Sequence, residues 1–169
     1  MYGPPVPFGD LHVTEAFECG EEALNVYLKR YAGQNEKRGG SRTFVIADRG
    51  NRVVGYYTLT VGSIEQADAP AQVTKGMGKY SIPVVILARL AIDKSVQGQG
   101  FGSALLKDAL KRAAFNISKD AGVRAVLVHA KNTKVRDWYK KQAGFIESPT
   151  DSLHLFLLIQ EIEKNLKPI

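Results

Sequence analysis

The residues best suited to chemistry in this chain are Gln97-Gly98-Gln99-Gly100-Phe101-Gly102, followed by Ser103, set between the apolar run 84–92 and the helical pattern 103–119. Glycines at alternate positions let a backbone turn sharply and approach a ligand closely, because no Cβ blocks contact or a positive φ. The loop amides, the unpartnered first-turn N–H groups of the following helix and its positive dipole end together make a pyrophosphate cradle that needs no charged side chain. Spacing narrows the ligand. A P-loop would close on Gly-Lys-Ser or Gly-Lys-Thr, whereas this loop closes on Gly102-Ser103-Ala104. A dinucleotide fingerprint needs glycines in the G-x-G-x-x-G pattern on the first strand of a βαβ unit. Counted from Gly98 the last position is Ser103, counted from Gly100 it is Leu105, and about ninety residues precede the loop. A plain strand-to-helix turn would need a single glycine.

Gln97, Gly100 and Gly102 match the acyl-CoA loop of the GNAT N-acetyltransferase superfamily, whose signature is Gln or Arg, two residues, Gly, one residue, then Gly or Ala. The resemblance continues on both sides: Leu87-Ala88-Arg89-Leu90-Ala91-Ile92-Asp93 is similar to the family's central strand, and Ala125-Val126-Leu127-Val128-His129-Ala130 to the strand beside it. More narrowly, Ser41-Arg42-Thr43-Phe44-Val45, the string 88–106, Leu127-Val128-His129-Ala130, and Trp138-Tyr139 followed by Gly144-Phe145 resemble the TacT and AtaT type of GNAT toxin. The resemblance implies an α/β GNAT fold in a single domain over residues 1–169, with a mixed, mostly antiparallel central sheet and a splayed pair of strands flanked by helices. It implies acetyl-CoA as cosubstrate, no metal, and transfer to the amino group of an aminoacyl-tRNA.

Acetyl transfer needs a held thioester, an amine without its proton, a stabilised oxyanion and a group to meet the departing thiolate. The loop Gln97, Gly98, Gln99, Gly100, Phe101, Gly102 and Ser103 supplies the first. By the family's pattern, backbone groups at Leu90, Ala91 and Ile92 face pantetheine and the thioester carbonyl. Also by that pattern, Tyr139 meets the leaving sulfur; spacing alone favours a packed aromatic beside Val135 and Trp138. A phenol with a pKa of about 10 stays protonated at neutral pH and can donate to a thiolate of about 8.5. No general base stands out. A lysine amine near 10.4 would need one, whereas an α-amino group of about 7.7–8.0 is already partly neutral, and esterification lowers it further. His129, at a strand end, is the alternative base or a packed histidine.

Charge suggests a partner. Lys and Arg number 23 against 17 Asp and Glu, a formal net charge of +6. Lys29, Arg30, Lys37, Arg38 and Arg42 against Glu36 make one block, and Lys131, Lys134, Arg136, Lys140 and Lys141 against Asp137 another. Such blocks are either solvated helix faces or the footprint of a phosphate-rich partner with salt-dependent binding. Arg30, Lys37, Arg38, Lys131, Lys134 and Lys140 are the candidate tRNA contacts. The lone Cys19 has no intramolecular partner and no metal framework around it, which fits a reducing cytoplasm. No basic n-region opens the chain, and no window approaches the roughly 18 apolar residues of a membrane span.

Periodicity gives the supporting elements. Residues 21–31 read as an amphipathic helix with Leu24, Tyr27, Leu28 and Tyr31 on one face. Residues 42–47 and 53–61 read as strands joined by Asp48-Arg49-Gly50-Asn51. Residues 65–82 lack periodicity and read as a loop with at most a short helix. The helix after the loop carries Leu105, Ala109, Leu110, Ala113 and Ile117 on one face; then come a buried strand 123–130, a helix 133–142 stopped by Gly144, a last strand 153–159 and a polar tail.

The reading with most support is an acetyl-CoA-dependent toxin that acetylates aminoacyl-tRNA. Alternatives are a GNAT enzyme acting on a small-molecule or protein amine, and an idle module that binds CoA or a partner. The resemblance also implies a ribbon-helix-helix antitoxin, operator DNA reached only through that antitoxin, and a homodimer.

Overall fold

Between residues 42 and 64 the chain forms the expected hairpin, and its turn chemistry explains the register. In the computed structural model, which describes residues 2–169, β2 (Arg42–Ala47) pairs antiparallel with β3 (Val53–Ile64), with a bulge between Ile46 and Ala47. Asp48 Oδ1 accepts the amides of Gly50 (2.9 Å) and Arg52 (3.0 Å). Asn51 takes the left-handed conformation at φ 64°, which its short polar side chain tolerates. A two-residue β1 (Val6–Pro7) adds to the outer edge of β2. The Pro-rich start gives no strand signal in the sequence, and an edge is where a proline fits a sheet.

Seven strands follow the order β1-β2-β3-β4-β5-β7-β6, completed by β4 (Ile82–Ile92), β5 (Ala125–His129), β6 (Ile146–Glu147) and β7 (His154–Leu158). The β4–β5 ladder is parallel from Val84↔Ala125 to Leu87↔Val128 and stops there. β4 runs on to Ile92, while β5 stays paired with β7 as far as His129↔His154. This is the splayed pair expected from the resemblance. The pairings β1–β2, β2–β3, β5–β7 and β7–β6 are antiparallel.

Contacts gather the chain into two compact units, one comprising the segment ending at Thr60 with Ala88–Ala109, the other Val61–Leu87 with Leu110–Ile169. The first has a core of Phe17, Tyr27, Leu28, Ala32, Val45, Val53, Tyr56 and Ala91. Its helical layer is longer than the sequence pattern suggests: α1 (Glu22–Val26) passes through a π-helical turn (Tyr27–Tyr31) into α2 (Ala32–Arg38), closed by Gly39 at φ 74°. The extra residue of a π turn shifts the helix phase. Ala32 is therefore fully buried and Tyr31, expected inward, is 52% exposed.

The second unit has a core of Ala69, Val73, Ile82, Val84, Ala125, Leu127 and Phe156. The aperiodic stretch 65–82 contains a 3-10 turn (Gln66–Asp68) and a one-turn helix, α3 (Ala71–Thr74). Arg124 caps α3, donating through Nε to Val73 O (2.9 Å) and through Nη2 to Gln72 O (3.2 Å) and Lys75 O (3.1 Å). Those carbonyls lack helical partners of their own. The supposed polar tail forms α7 (Ile159–Asn165), which buries Ile159 and Ile162. One turn of buried apolar residues is too short a signal to show a period. The helix after the glycine loop, α4 (Phe101–Arg112), runs through a second π turn (Ala113–Ile117) into α5 (Ser118–Asp120), burying Leu105, Ala109, Leu110 and Ala113 as expected.

Candidate active site

At the end of β4 in the first unit, Asp93 turns the chain. Its amide donates to Val54 O (2.8 Å), and its carboxylate accepts the Glu18 amide (2.8 Å), the Ser95 amide (2.9 Å) and the Ser95 hydroxyl (2.6 Å). Burial pushes this carboxyl upward, but the Ser95 and Glu18 hydrogen bonds together with Arg52 outweigh it, leaving the pKa below the ordinary aspartate value. Asp93 thus caps a 3-10 turn (Lys94–Val96) as a charged acceptor. Gly55 on β3 permits the close packing here, since a Cβ would meet Ile92 Cδ1 at 3.0 Å and Leu105 Cδ1 at 3.2 Å.

The glycine loop follows. Gly98 and Gly100 hold φ values of 79° and 86°, and a Cβ on either would meet no heavy atom within 4 Å. Neighbouring atoms therefore do not require these glycines; the backbone conformation does, and the space beside it is open for a ligand. Gly102 and Ser103 lie in the first turn of α4, whose opening bond runs from the Ala104 amide to Gly100 O (3.1 Å). Phe101 packs edge-to-face on Tyr2 at 5.2 Å. Gln99 is exposed beside the two positive-φ glycines.

Gln97 differs in kind from its neighbours. Its Nε2 donates to Ile92 O (2.9 Å) and to Cys19 O (3.0 Å). The side chain ties the loop to the end of β4 and to the segment before α1. Leu90, Ala91 and Ile92 thus sit on the strand whose end Gln97 holds. A residue that sequence reasoning does not single out lies just before them: the Arg89 guanidinium is 3.5 Å from the Tyr27 ring centroid. The Tyr27 hydroxyl shares a 2.8 Å hydrogen bond with Ser41 Oγ and accepts Asn35 Nδ2 at 3.0 Å. The signal exists, a lone cation in an apolar strand, but its aromatic partner is 62 residues away in sequence.

In the second unit, Asn132 caps α6 (Thr133–Ala143) by accepting the Val135 amide at 2.9 Å, and Gly144 at φ 69° ends it. Tyr139 lies on this helix, 7% exposed, with its ring edge-to-face against Trp138 (5.0 Å) and Phe145 (5.7 Å). Burial pushes the phenol well above its ordinary pKa. Its hydroxyl has no hydrogen-bond partner among the described residues. Since no buried side-chain polar atom among them is left unsatisfied, that oxygen is reachable from solvent. The ring is packed and the hydroxyl is an unused donor.

His129 stacks on His154 at 4.1 Å, and His154 Nε2 lies 3.4 Å from Asp151. Burial and then the neighbouring His154 hold the His129 pKa below its ordinary value, with Asp151 pulling the other way. The Cys19 thiol is pushed up, mainly by burial, which opposes a nucleophilic role. The basic blocks divide between the units. Arg30, Lys37 and Arg38 are exposed on the π turn and α2, without a side-chain hydrogen bond or ion pair among the described residues. In the second unit Lys140 pairs with Glu147 at 2.6 Å and Arg136 with Asp137 at 3.0 Å, whereas Lys131 and Lys134 are exposed at the start of α6. No helix among the described residues is long and apolar enough to cross a membrane.

Comparison with known proteins accords with this geometry. The acetyltransferase (GNAT) domain family matches residues 40–147. The chain is 42% identical over 160 residues to a tRNA-acetylating toxin of Mycobacterium tuberculosis, covering 95% of this chain and 94% of that one. It superposes with a TM-score of 0.87 on AtaT complexed with acetyl-methionyl-tRNAfMet, at 30% identity and covering 97% and 98% of the two chains. A tyrosine-to-phenylalanine mutant of AtaT, bound to the C-terminus of the antitoxin AtaR and acetyl-CoA, gives a TM-score of 0.80 at 30% identity with 97% of each chain covered. A turn built on Gly98 and Gly100 at the end of an apolar strand, and a family match that spans it, lead to one conclusion: the chain belongs to the GNAT acetyltransferase family.

Proposed function

We propose that this chain transfers the acetyl group of acetyl-CoA to the α-amino group of aminoacyl-tRNA and so blocks translation, acting in the cytoplasm as the toxin of a toxin–antitoxin pair. The observation that carries this reading is 42% identity to a tRNA-acetylating toxin over nearly the whole of both chains. Binding of AtaT to acetyl-methionyl-tRNA in one structure, and to acetyl-CoA with the AtaR C-terminus in another, supports it. A ribbon-helix-helix antitoxin that carries the pair to operator DNA, and a homodimeric toxin, complete the proposal.

The residues fit acetyl-CoA. Gly98, Gln99, Gly100 and Phe101, with the first-turn amides of Gly102 and Ser103, receive the pyrophosphate at the positive end of α4. Gln97 fixes that cradle to the strand end, so that Leu90, Ala91 and Ile92 offer backbone groups to the pantetheine chain and the thioester carbonyl. The amine attacks directly. An α-amino group near neutrality needs little help to lose its proton, so no dedicated base is required, and His129, exposed at the end of β5 and stacked on His154, is given no role. Tyr139 offers its hydroxyl to the departing sulfur. Burial raises its pKa, which favours a hydrogen bond to the sulfur as the C–S bond breaks, and the proton that the nitrogen loses passes to the thiolate or to solvent.

The test is transfer of labelled acetyl from acetyl-CoA to total charged tRNA, with deacylated tRNA alongside. Label on charged tRNA alone is expected. Label on neither, with acetyl-CoA still bound, would reject the tRNA reading in favour of a small or protein amine, or an idle module.

A further inference from the structure

The first unit contains a cleft of about 550 Å³ between the segment after β1 and the π turn with α2. One wall is fixed at both ends: the Phe8 amide donates to Thr43 O (2.9 Å) and the Val13 amide to Asn51 O (2.8 Å). On that wall Phe8 and His12 stack, with ring centroids 5.7 Å apart. His12 Nδ1 accepts the Gly9 amide at 3.0 Å, so in the neutral ring the proton sits on Nε2 and that atom is a donor. The opposite wall presents Lys29, Arg30 and Lys37. None of the three makes a side-chain hydrogen bond or ion pair among the described residues. The acidic lining residues are Asp10 and Glu36, and Glu36 already accepts the Thr43 amide at 3.0 Å.

Two features show how this wall is built. The π turn places Tyr27 and Leu28 in the core and leaves the adjacent Lys29 and Arg30 exposed. Gly33 then lines the cleft from within α2, with a negative φ and open space where a Cβ would stand. Glycine there weakens a helix relative to alanine, and neither backbone strain nor crowding calls for it. Its effect is to leave that part of the cleft lining without a side chain.

We propose that this cleft is an RNA-backbone subsite for the tRNA substrate: Lys29, Arg30 and Lys37 receive phosphodiester oxygens, His12 Nε2 donates to one of them, and the Phe8–His12 pair offers a flat face for a base. Cations without hydrogen-bond or ion-pair partners, next to a stacked aromatic pair, are the chemistry that binds nucleic acid largely without regard to sequence. The inference rests on the tRNA reading above and goes beyond it in naming a site.

The experiment measures binding of total aminoacylated tRNA to the full chain in the Tyr139→Phe background, across a salt titration. Compared with it are Lys29→Ala/Arg30→Ala/Lys37→Ala, Gly33→Glu, and a control of equal charge, Arg49→Ala/Lys164→Ala/Lys167→Ala. Melting temperature and acetyl-CoA affinity verify folding. The triple cleft variant is expected to bind at least about 10-fold more weakly and to lower the salt slope by about 2–3. Gly33→Glu is expected to weaken binding although it removes no cation, and the control to bind close to the parent. Folded cleft variants that bind like the parent would overturn the site while leaving the tRNA reading intact. So would variants that keep tRNA affinity but lose binding to an acidic antitoxin-tail peptide, which would make the occupant a protein. A parent that neither binds nor acetylates charged tRNA would overturn both.

Discussion

Gln97 Nε2 donates a 2.9 Å hydrogen bond to the carbonyl of Ile92 and a second, at 3.0 Å, to that of Cys19. The first side chain of the glycine loop thereby ties the turn proposed to hold the pyrophosphate to the end of the strand proposed to face the thioester. Each such bond contributes about 0.5–1.5 kcal/mol. Gln97→Ala is expected to weaken acetyl-CoA binding about 5- to 30-fold, read by titration calorimetry. An unchanged affinity would mean that the loop holds its shape without this tie.

Gly100 stands at φ 86°, and a Cβ there would meet no heavy atom within 4 Å, so Gly100→Ala separates conformational strain from crowding. A non-glycine residue in the left-handed region costs about 1–2 kcal/mol, which in a chain of this size lowers Tm by about 2–8 °C. Acetyl-CoA, which the proposal has bound by backbone amides of the same turn, is expected to restore part of the loss in thermal melts. A variant as stable as the parent would show that the turn relaxes to another conformation.

Tyr139→Phe removes a hydroxyl that has no hydrogen-bond partner among the described residues and leaves the packed ring in place. Stability is expected to change by less than about 0.5 kcal/mol and acetyl-CoA affinity to hold. Turnover is expected to fall about 100-fold or more, the usual scale for losing one hydrogen-bond donor aimed at developing negative charge. Steady-state kinetics beside a denaturant melt would test both halves. Turnover within a few-fold of the parent would remove Tyr139 from the mechanism.

The His129 pKa lies below its ordinary value, chiefly through burial and then through His154. The unfolded chain then binds protons that the folded chain resists. Stability is accordingly full above the ordinary imidazole pKa of about 6.5 and declines as pH drops through it toward the lowered value. Replacing His129 by Phe keeps an aromatic against His154 and removes the titration. The melting temperature of His129→Phe is expected to fall less than the parent's between pH 7.5 and 5.5, and equal falls would assign the acid sensitivity elsewhere.

Much of this protein can be read locally. The Asp48–Asn51 turn, the apolar β4 and β5, and the spacing of Gln97, Gly100 and Gly102 are short-range patterns, and each is set by backbone sterics or by alternation along a strand. The family and the proposed location of its cofactor loop follow from them. Elements whose only signal is packing are not legible: β1 needs the edge of β2, α7 needs a core for Ile159 and Ile162, and the π turn at Tyr27–Tyr31 shows itself only when Ala32 is buried in place of Tyr31. The roles of individual side chains are likewise decided in three dimensions. Sequence makes Gln97 a loop residue, but only the fold brings Cys19 and Ile92 to its amide. Sequence counts the cations of both basic blocks alike, whereas Lys140 lies against Glu147 and Lys29, Arg30 and Lys37 line a cleft without hydrogen-bond or ion-pair partners among the described residues. Hydrogen bonds and ion pairs join groups far apart along the chain, so a linear pattern can nominate a residue while the partners that fix its chemistry appear only on folding.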